Sequence, residues 1–249
     1  MLLIINADDL GVSESVNNET FALMQSGLIT SATLIANAPA FEDAVRNSKR
    51  FPHCSFGVHL NLSVFPPLSR SKYLEAALCG GQLCRETLRK HLSVELRSAM
   101  EQELMMQVQR VVDAGIPVSH FDSHHFMHAS SEVFPMLKAV QKRFGVRKLR
   151  STVQVLSPQQ MSRSEVLKNK LLNVAHRRWY RTLTPDGWCS FHCFHAALFK
   201  KEPPQLGSLE LMVHPGTDDT GYAQEIGLLR SHWQETLPPN AALGSYHLL

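Results

Sequence analysis

Two hydrophobic patterns alternate along the chain. Short apolar runs rich in branched residues are each followed by a polar loop and then by a segment whose apolar positions recur at helical spacing. LLII at 2–5 reads as a strand covered on both faces. SESVNNETFALMQSG then reads as a helix, with Ser13 as N-cap, Val16, Phe21, Leu23 and Met24 as its buried stripe and Gly27 as its stop. The same grammar returns in ITSATLIAN (strand) with PAFEDAVRNS (helix), in SFGVHLNL (strand), and in a long helix from about His91 to Ala114. PVSHFDSH (strand), SSEVFPMLKAVQKRFG (helix) and VRKLR follow, and SLELMVHPG (strand) with YAQEIGLLRSHWQETL (helix) closes the series. Such alternation predicts an α/β fold with a mostly parallel sheet. At 249 residues a single TIM-barrel-like domain over 1–249 is favoured over an open sheet.

Two segments break the rhythm. Residues of about 63–90, beginning SVFPPLSRSKYLEAALCGGQL, and about 151–207 are too long for ordinary connections, so both are expected to be loop insertions carrying substrate contacts. Phe65, Pro66 and Pro67 can line either a subunit contact or a glycan groove. No internal repeat, low-complexity tract or linker is visible.

Composition narrows the function classes. A hydrophobic fraction of 44% suffices for one large core, and a net charge of +3 without a long Lys/Arg run demands neither nucleic acid nor an anionic membrane. HRRWYR at 176–181 mixes basic and aromatic residues in a way that suits nucleic acid or an anionic glycan, but short basic stretches are commonly solvated surface. The initial apolar run lacks a basic flank and is too short for a signal peptide, and no run approaches a membrane span of about 20 residues. Five cysteines (Cys54, Cys79, Cys84, Cys189, Cys193) are odd in number and sparse, which argues for a reducing compartment. The expectation is a soluble, cytoplasmic protein acting on a small molecule or oligosaccharide, without nucleic-acid or membrane partners; a homodimer is left open.

The candidate chemistry sits where strands end. Asp8 and Asp9 follow LLII, His59 lies toward the end of SFGVHL, Asp122 and His124 end PVSHFDSH, and His214 ends LELMV. In α/β barrels these carboxyl ends converge on one face. Each residue alone has an ordinary explanation: DD as turn chemistry, His59 as a core histidine, HHFMH as an exposed tract. Their shared placement points instead to a metal site. An Asp with two His makes a three-ligand set with a position left for water or substrate. Such donors suit Zn, Co, Ni, Mn or Fe better than Ca, and they admit Mg.

At NADDLG, GVHLNL, HFDSHHFMH and MVHPG the sequence resembles the YdjC-like carbohydrate deacetylases, a family that includes chitooligosaccharide and hopanoid-biosynthesis deacetylases. The likeness runs from the first strand to GSYHLL. It implies a TIM-barrel-like fold, distorted to seven or so strands and related to NodB-type polysaccharide deacetylases. It also implies metal-dependent removal of an N-acetyl group from an amino sugar. By resemblance Asp9, His59 and His124 match the metal positions, Asp8 the general base and His214 the general acid. One divalent ion is expected, Zn or Mg first, with Co, Ni or Mn admitted. His125 and His128 fall inside the motif, either orienting ligands or touching substrate, and Asn61 and Arg150 are candidates of the same kind. Arg147 is a further candidate for substrate contact, and Arg150 has the alternative of anchoring its own loop. Leu10 and Phe126 stand where Phe and His are frequent in the family.

His214 as acid must be charged near neutral pH, for which a carboxylate neighbour, Asp218 or Asp219, is expected. CSFHCFH at 189–195 invites a zinc reading, but its spacing fits no standard finger, and its alternation suits a strand with structural thiols. Two other functions compete with deacetylation: a metal-dependent phosphoesterase on a similar barrel, and a non-catalytic sugar-binding protein that keeps barrel and metal.

Overall fold

The computed structural model describes residues 1–79, 82–83, 92–156, 161–218, 222 and 224–249. Its strands are β1 (Leu2–Leu10), β2 (Ser31–Leu34), β3 (Ser55–Leu60), β4 (Leu78–Cys79), β5 (Gln82–Leu83), β6 (Val118–Ser123), β7 (Gly187–Ser190), β8 (Ser208–Val213) and β9 (Ala242–Gly244). Its helices are α1 (Glu14–Gln25), α2 (Phe41–Ser48), α3 (Lys72–Ala77), α4 (Val94–Asp113), α5 (Phe134–Phe144), α6 (Arg163–Arg178), α7 (Phe191–Phe199) and α8 (Glu225–Leu229). The principal sheet runs β6-β3-β2-β1-β8-β7 with every pairing parallel, while β9 pairs with the start of β1. Its edges are joined through residues 148–154. Phe121 of β6 bridges Leu149, Lys148 bridges Leu183, and Gln154 bridges Trp188 of β7. With that segment as a strand, seven strands close a distorted barrel, and sequential parallel strands with helical crossovers are what the alternating sequence called for.

The barrel sorts its residues by the two-residue period of the strands. Leu3, Ile5, Ala32, Leu34, Phe56, Val58, Phe121, Leu209 and Leu211 face outward and form the apolar core beneath the helices. The alternate residues are also buried yet mostly polar: Asn6, Asp8, Ser31, Thr33, Ser55, His59, His120, Asp122 and Glu210. This polar set fills the barrel's inside. Gly57 belongs to it by register, and a Cβ there would come within 2.7 Å of His120, so the glycine makes room for that imidazole. Tyr246, from the final turn, stacks on His120 with ring centroids 3.6 Å apart, its backbone N–H bonds Ser55 Oγ, and Lys148 Nζ donates to its carbonyl. The end of the chain thus seals the amino-terminal mouth of the barrel.

Local signals explain most element ends. Ser13 accepts from Val16 N–H at 3.2 Å as the N-cap of α1. α5 begins only at Phe134 because Pro135 fits the first helical turn and nowhere later. Three expectations are corrected. Segment 151–207 is no plain insertion, since it contains α6, β7 and α7. CSFHCFH is not one strand: Cys189 and Ser190 close β7, and the Ser190 side chain accepts from Cys193 N–H to start α7. The late helix is cut to α8 and a 3₁₀ turn at Trp233–Thr236, with Gly227 weakening the helix and the Trp233 indole donating to Leu229 O as it packs on Phe191 and Phe194. His91, expected to begin the long helix, and Cys84 lie outside the described residues; the helix begins at Val94 behind the cap Ser93.

Candidate active site

All the strand-end candidates gather at the carboxyl pole. In a regular strand Asp8 and Asp9 would point to opposite faces. The β1–β2 register slips between Ala7 and Leu10, and Asp9 adopts φ 64°, so this bulge turns both carboxylates toward the same pole. His125 (φ 53°) and Phe126 (φ 54°) share the left-handed conformation in the turn after β6. With Phe65 (φ 60°), four such non-glycine residues at one pole mark backbone held against its preference, a pattern typical of functional sites.

Asp9, His59 and His124 present ligand atoms all within 4.8 Å of one another. Asp9 Oδ1 is the shared vertex, 3.3 Å from His59 Nε2 and 3.0 Å from His124 Nδ1. His59 is buried, whereas the side chains of Asp9 and His124 keep 22% and 17% exposure, so the group is open on one side. This set fits a divalent ion. His59 Nδ1 donates to Asp122 Oδ1 at 2.7 Å, which fixes the ring with Nε2 toward Asp9, the arrangement that orients metal-ligating imidazoles. Burial would lower the His59 pKa, but Asp122, with Asp8 and Asp9 behind it, raises it to about 9; ligation by Nε2 therefore displaces a proton. A second group, Asp8, His59 and Asp122, also lies within ligand distance. It suits a cation poorly, because Arg150 already sits 2.6 Å from Asp8 and 3.1 Å from Asp122.

Arg150 is the centre of a buried charge network. It grips both oxygens of Asp8 at 2.6 and 2.7 Å and donates to Glu210 from Nε and Nη2 at 2.9 and 2.7 Å. Tyr246 Oη donates to Glu210 at 2.5 Å. Asn6 Nδ2 donates to Asp8 at 2.9 Å, and Thr33 Oγ1 to Asp122 at 2.9 Å. Burial pushes Asp8 up, but the Arg150 charge and hydrogen bonds outweigh it and hold the carboxyl well below its usual range. Glu210 is pushed up by burial and by Asp122 against the pull of Arg150. Arg150 is therefore no substrate contact: it is fully buried and bound to protein on every side. Arg147 is likewise spent on Arg181 O.

The remaining candidates divide. His125 is exposed, its ring lies tilted against His124 with centroids 4.1 Å apart, and it is 3.0 Å from Ser63 Oγ, so it faces the open side. His128, three residues on, is buried, with Nδ1 2.6 Å from Ser123 Oγ and its carbonyl 3.3 Å from His176 Nε2; it braces the turn. Asn61 is also structural. Its Oδ1 accepts from Ser63 and Val64 N–H and its Nδ2 donates to Asn37 and Val64 O, while Gln107 of α4 pairs with its backbone. Val64, Phe65 and Pro67 line a small cavity with Asn37 and Asn61 at this pole.

His214 differs from expectation. Burial lowers its pKa, and the carboxylates pulling it up are Asp8 and Asp9, not Asp218; Asp219 lies outside the described residues. The Tyr222 ring lies tilted against its ring with centroids 4.0 Å apart, and Glu225, itself pushed up to about 7 by burial, accepts its backbone N–H at 2.7 Å. Asn6, Thr33, Glu210 and Tyr246 were missed as site residues. For Thr33 and Glu210 the signal was present as polar residues at alternate positions of SATL and SLEL, strands expected to be buried.

A closed α/β barrel with a carboxylate and imidazole cluster at the carboxyl ends of its strands belongs to the barrels that build their sites at that pole. Within that class, the chain belongs to the YdjC-like protein family, whose profile matches residues 2–237. It is 35% identical over 146 residues to a carbohydrate deacetylase of Brevibacillus brevis, covering 59% of this chain and 58% of that protein. It is 34% identical over 150 residues to a chitooligosaccharide deacetylase of Proteus mirabilis, covering 59% and 58% respectively. The matched stretch thus spans under two thirds of either relative. The fold is shared with a protein of Enterococcus faecalis V583 whose name assigns it to cellobiose-phosphate cleavage, at TM-score 0.77 and 20% identity over 99% of this chain and 98% of that one.

Proposed function

We propose that the protein is a metal-dependent hydrolase that removes the N-acetyl group of an acetylated amino sugar, free or within an oligosaccharide or glycoconjugate, and releases acetate. The observation that carries this reading is the Asp9, His59 and His124 cluster, open on one side, with Arg150-held Asp8 adjoining it. The names of the two relatives support the substrate class.

Asp9, His59 and His124 would hold one divalent ion; two imidazoles to one carboxylate favour Zn, Co or Ni over Mg. When bound, it supplies Lewis acidity toward the amide carbonyl and lowers the pKa of a water. Asp8 takes the proton of the attacking water, its plane fixed by Arg150 and Asn6. His214 delivers a proton to the departing nitrogen. Its lowered pKa makes the imidazolium a strong donor that is scarce at neutral pH. His125 and the Val64–Pro67 loop would meet the sugar, a reading supported by the exposure of His125 beside His124. The two-metal phosphoesterase reading is disfavoured because the only other ligand group among the described residues is occupied by Arg150.

The test is acetate release from a panel of N-acetylated sugars by metal-loaded protein, beside an EDTA-treated control. Asp8→Asn is expected to lose about 10²-fold or more in turnover with metal content intact, whereas His59→Ala or His124→Ala lose metal. Wild-type turnover in Asp8→Asn removes Asp8 as the base. Tight sugar binding without any acetate favours the sugar-binding reading.

A further inference from the structure

α6 is mounted with its polar face inward. Its buried residues are Asn173 and His176. Asn173 Oδ1 accepts from Ser151 Oγ and Thr152 N–H, Thr152 Oγ1 donates to Asn169 O, and His176 meets His128 O. The opposite face carries Leu167, Leu171 and Val174 at i, i+4 and i+7, with 58%, 61% and 50% exposure, and Trp179 follows at 67%. This inverts the usual placement of an amphipathic helix, whose apolar stripe packs on the core. Within 163–181 stand six Lys/Arg and a single Glu, an excess larger than the +3 of the entire chain. Arg163, Lys168, Lys170 and Arg178 are all exposed beside the stripe, while Glu165 is engaged at the amino end in the capping box with Ser162.

We infer that α6 and Trp179 form a peripheral docking surface for an anionic lipid bilayer. An apolar stripe with flanking cations and an interfacial Trp is the makeup of a helix that lies in the headgroup layer. A second copy fits less well, since two such faces would set cation against cation. No helix among the described residues is long and apolar enough to cross a membrane, so the contact is with the surface. The modest net charge of the chain conceals this local excess. The anchoring partners of α6, Ser151 and His128, adjoin Arg150 and the turn bearing His124, so the inward face of α6 is tied to the pole of the candidate site and the docking stripe is turned away from it.

The experiment is co-flotation of the full chain with phosphatidylcholine vesicles, with and without phosphatidylglycerol, together with tryptophan emission. Binding is expected to the anionic vesicles and to weaken with salt. The emission should shift to the blue, and Trp179→Phe should abolish the shift, because Trp188 and Trp233 are buried. Lys170→Glu and Arg178→Glu should each weaken binding more than about fivefold, and Leu167→Gln with Leu171→Gln by about tenfold or more. No binding to anionic vesicles at low salt overturns the inference, as does unchanged binding by the double leucine variant. Sedimentation showing a dimer that this variant splits also overturns it, in favour of a second copy covering the stripe.

Discussion

Replacing Asp122 by Asn isolates what one buried carboxylate does for the proposed metal centre. Asp122 touches no ligand position directly: one oxygen holds His59 Nδ1 at 2.7 Å, and the other takes Thr33 Oγ1 at 2.9 Å and lies 3.1 Å from Arg150. An amide of the same shape keeps an acceptor for the imidazole but loses the charge that makes His59 a strong donor. Loss of such a partner typically weakens metal binding about 10- to 100-fold, or about 1.4 to 2.8 kcal/mol. A separate cost falls on stability. Breaking a buried ion pair costs about 3–5 kcal/mol, and the lower end applies because Arg150 retains Asp8 and Glu210. For a chain of this size about 3 kcal/mol lowers Tm by about 6–12 °C. Zinc affinity is to be read by competition with a chromophoric chelator well below the lowered Tm, with His59→Ala beside it. Wild-type affinity in Asp122→Asn, while His59→Ala binds none, would refute the claim that Asp122 orients His59 for ligation.

Tyr246→Phe removes the only hydrogen bond that reaches the barrel's charge network from the chain's end among the described residues, leaving Glu210 Oε2 short of a donor. A destabilisation of about 1–3 kcal/mol is expected by urea unfolding, and an unchanged midpoint would show that the phenol is ornamental to the seal. Burial pushes the Lys138 ammonium down to about 7. Between that value and its ordinary 10.5 the unfolded chain binds more protons than the folded one, so this group makes stability rise with pH across that window. The difference in unfolding free energy between wild type and Lys138→Met should therefore grow from pH 7 to 9.5; a flat difference contradicts it.

Much of this protein is written locally. The order of strands and helices, the Ser13 cap and the strand-end positions of Asp8, Asp9, His59, His124 and His214 follow from residue period and turn chemistry, which act over a few neighbours. Even part of the barrel's polar inside was present as the alternation S-A-T-L and S-L-E-L. Period 2 separates two faces, but it does not say which faces a helix layer and which an enclosed barrel. Only the closed sheet decided that, and with it the meeting of Asp8, Asp122, Arg150, Glu210 and Tyr246 from remote parts of the chain. His125 and His128 show the limit most plainly: neighbours in one motif, one exposed beside His124 and the other buried, because a left-handed turn separates them. The outward stripe of α6 is a further case, since helical period fixes that Leu167, Leu171 and Val174 share a face, and only packing determines whether that face is turned to the core or to solvent.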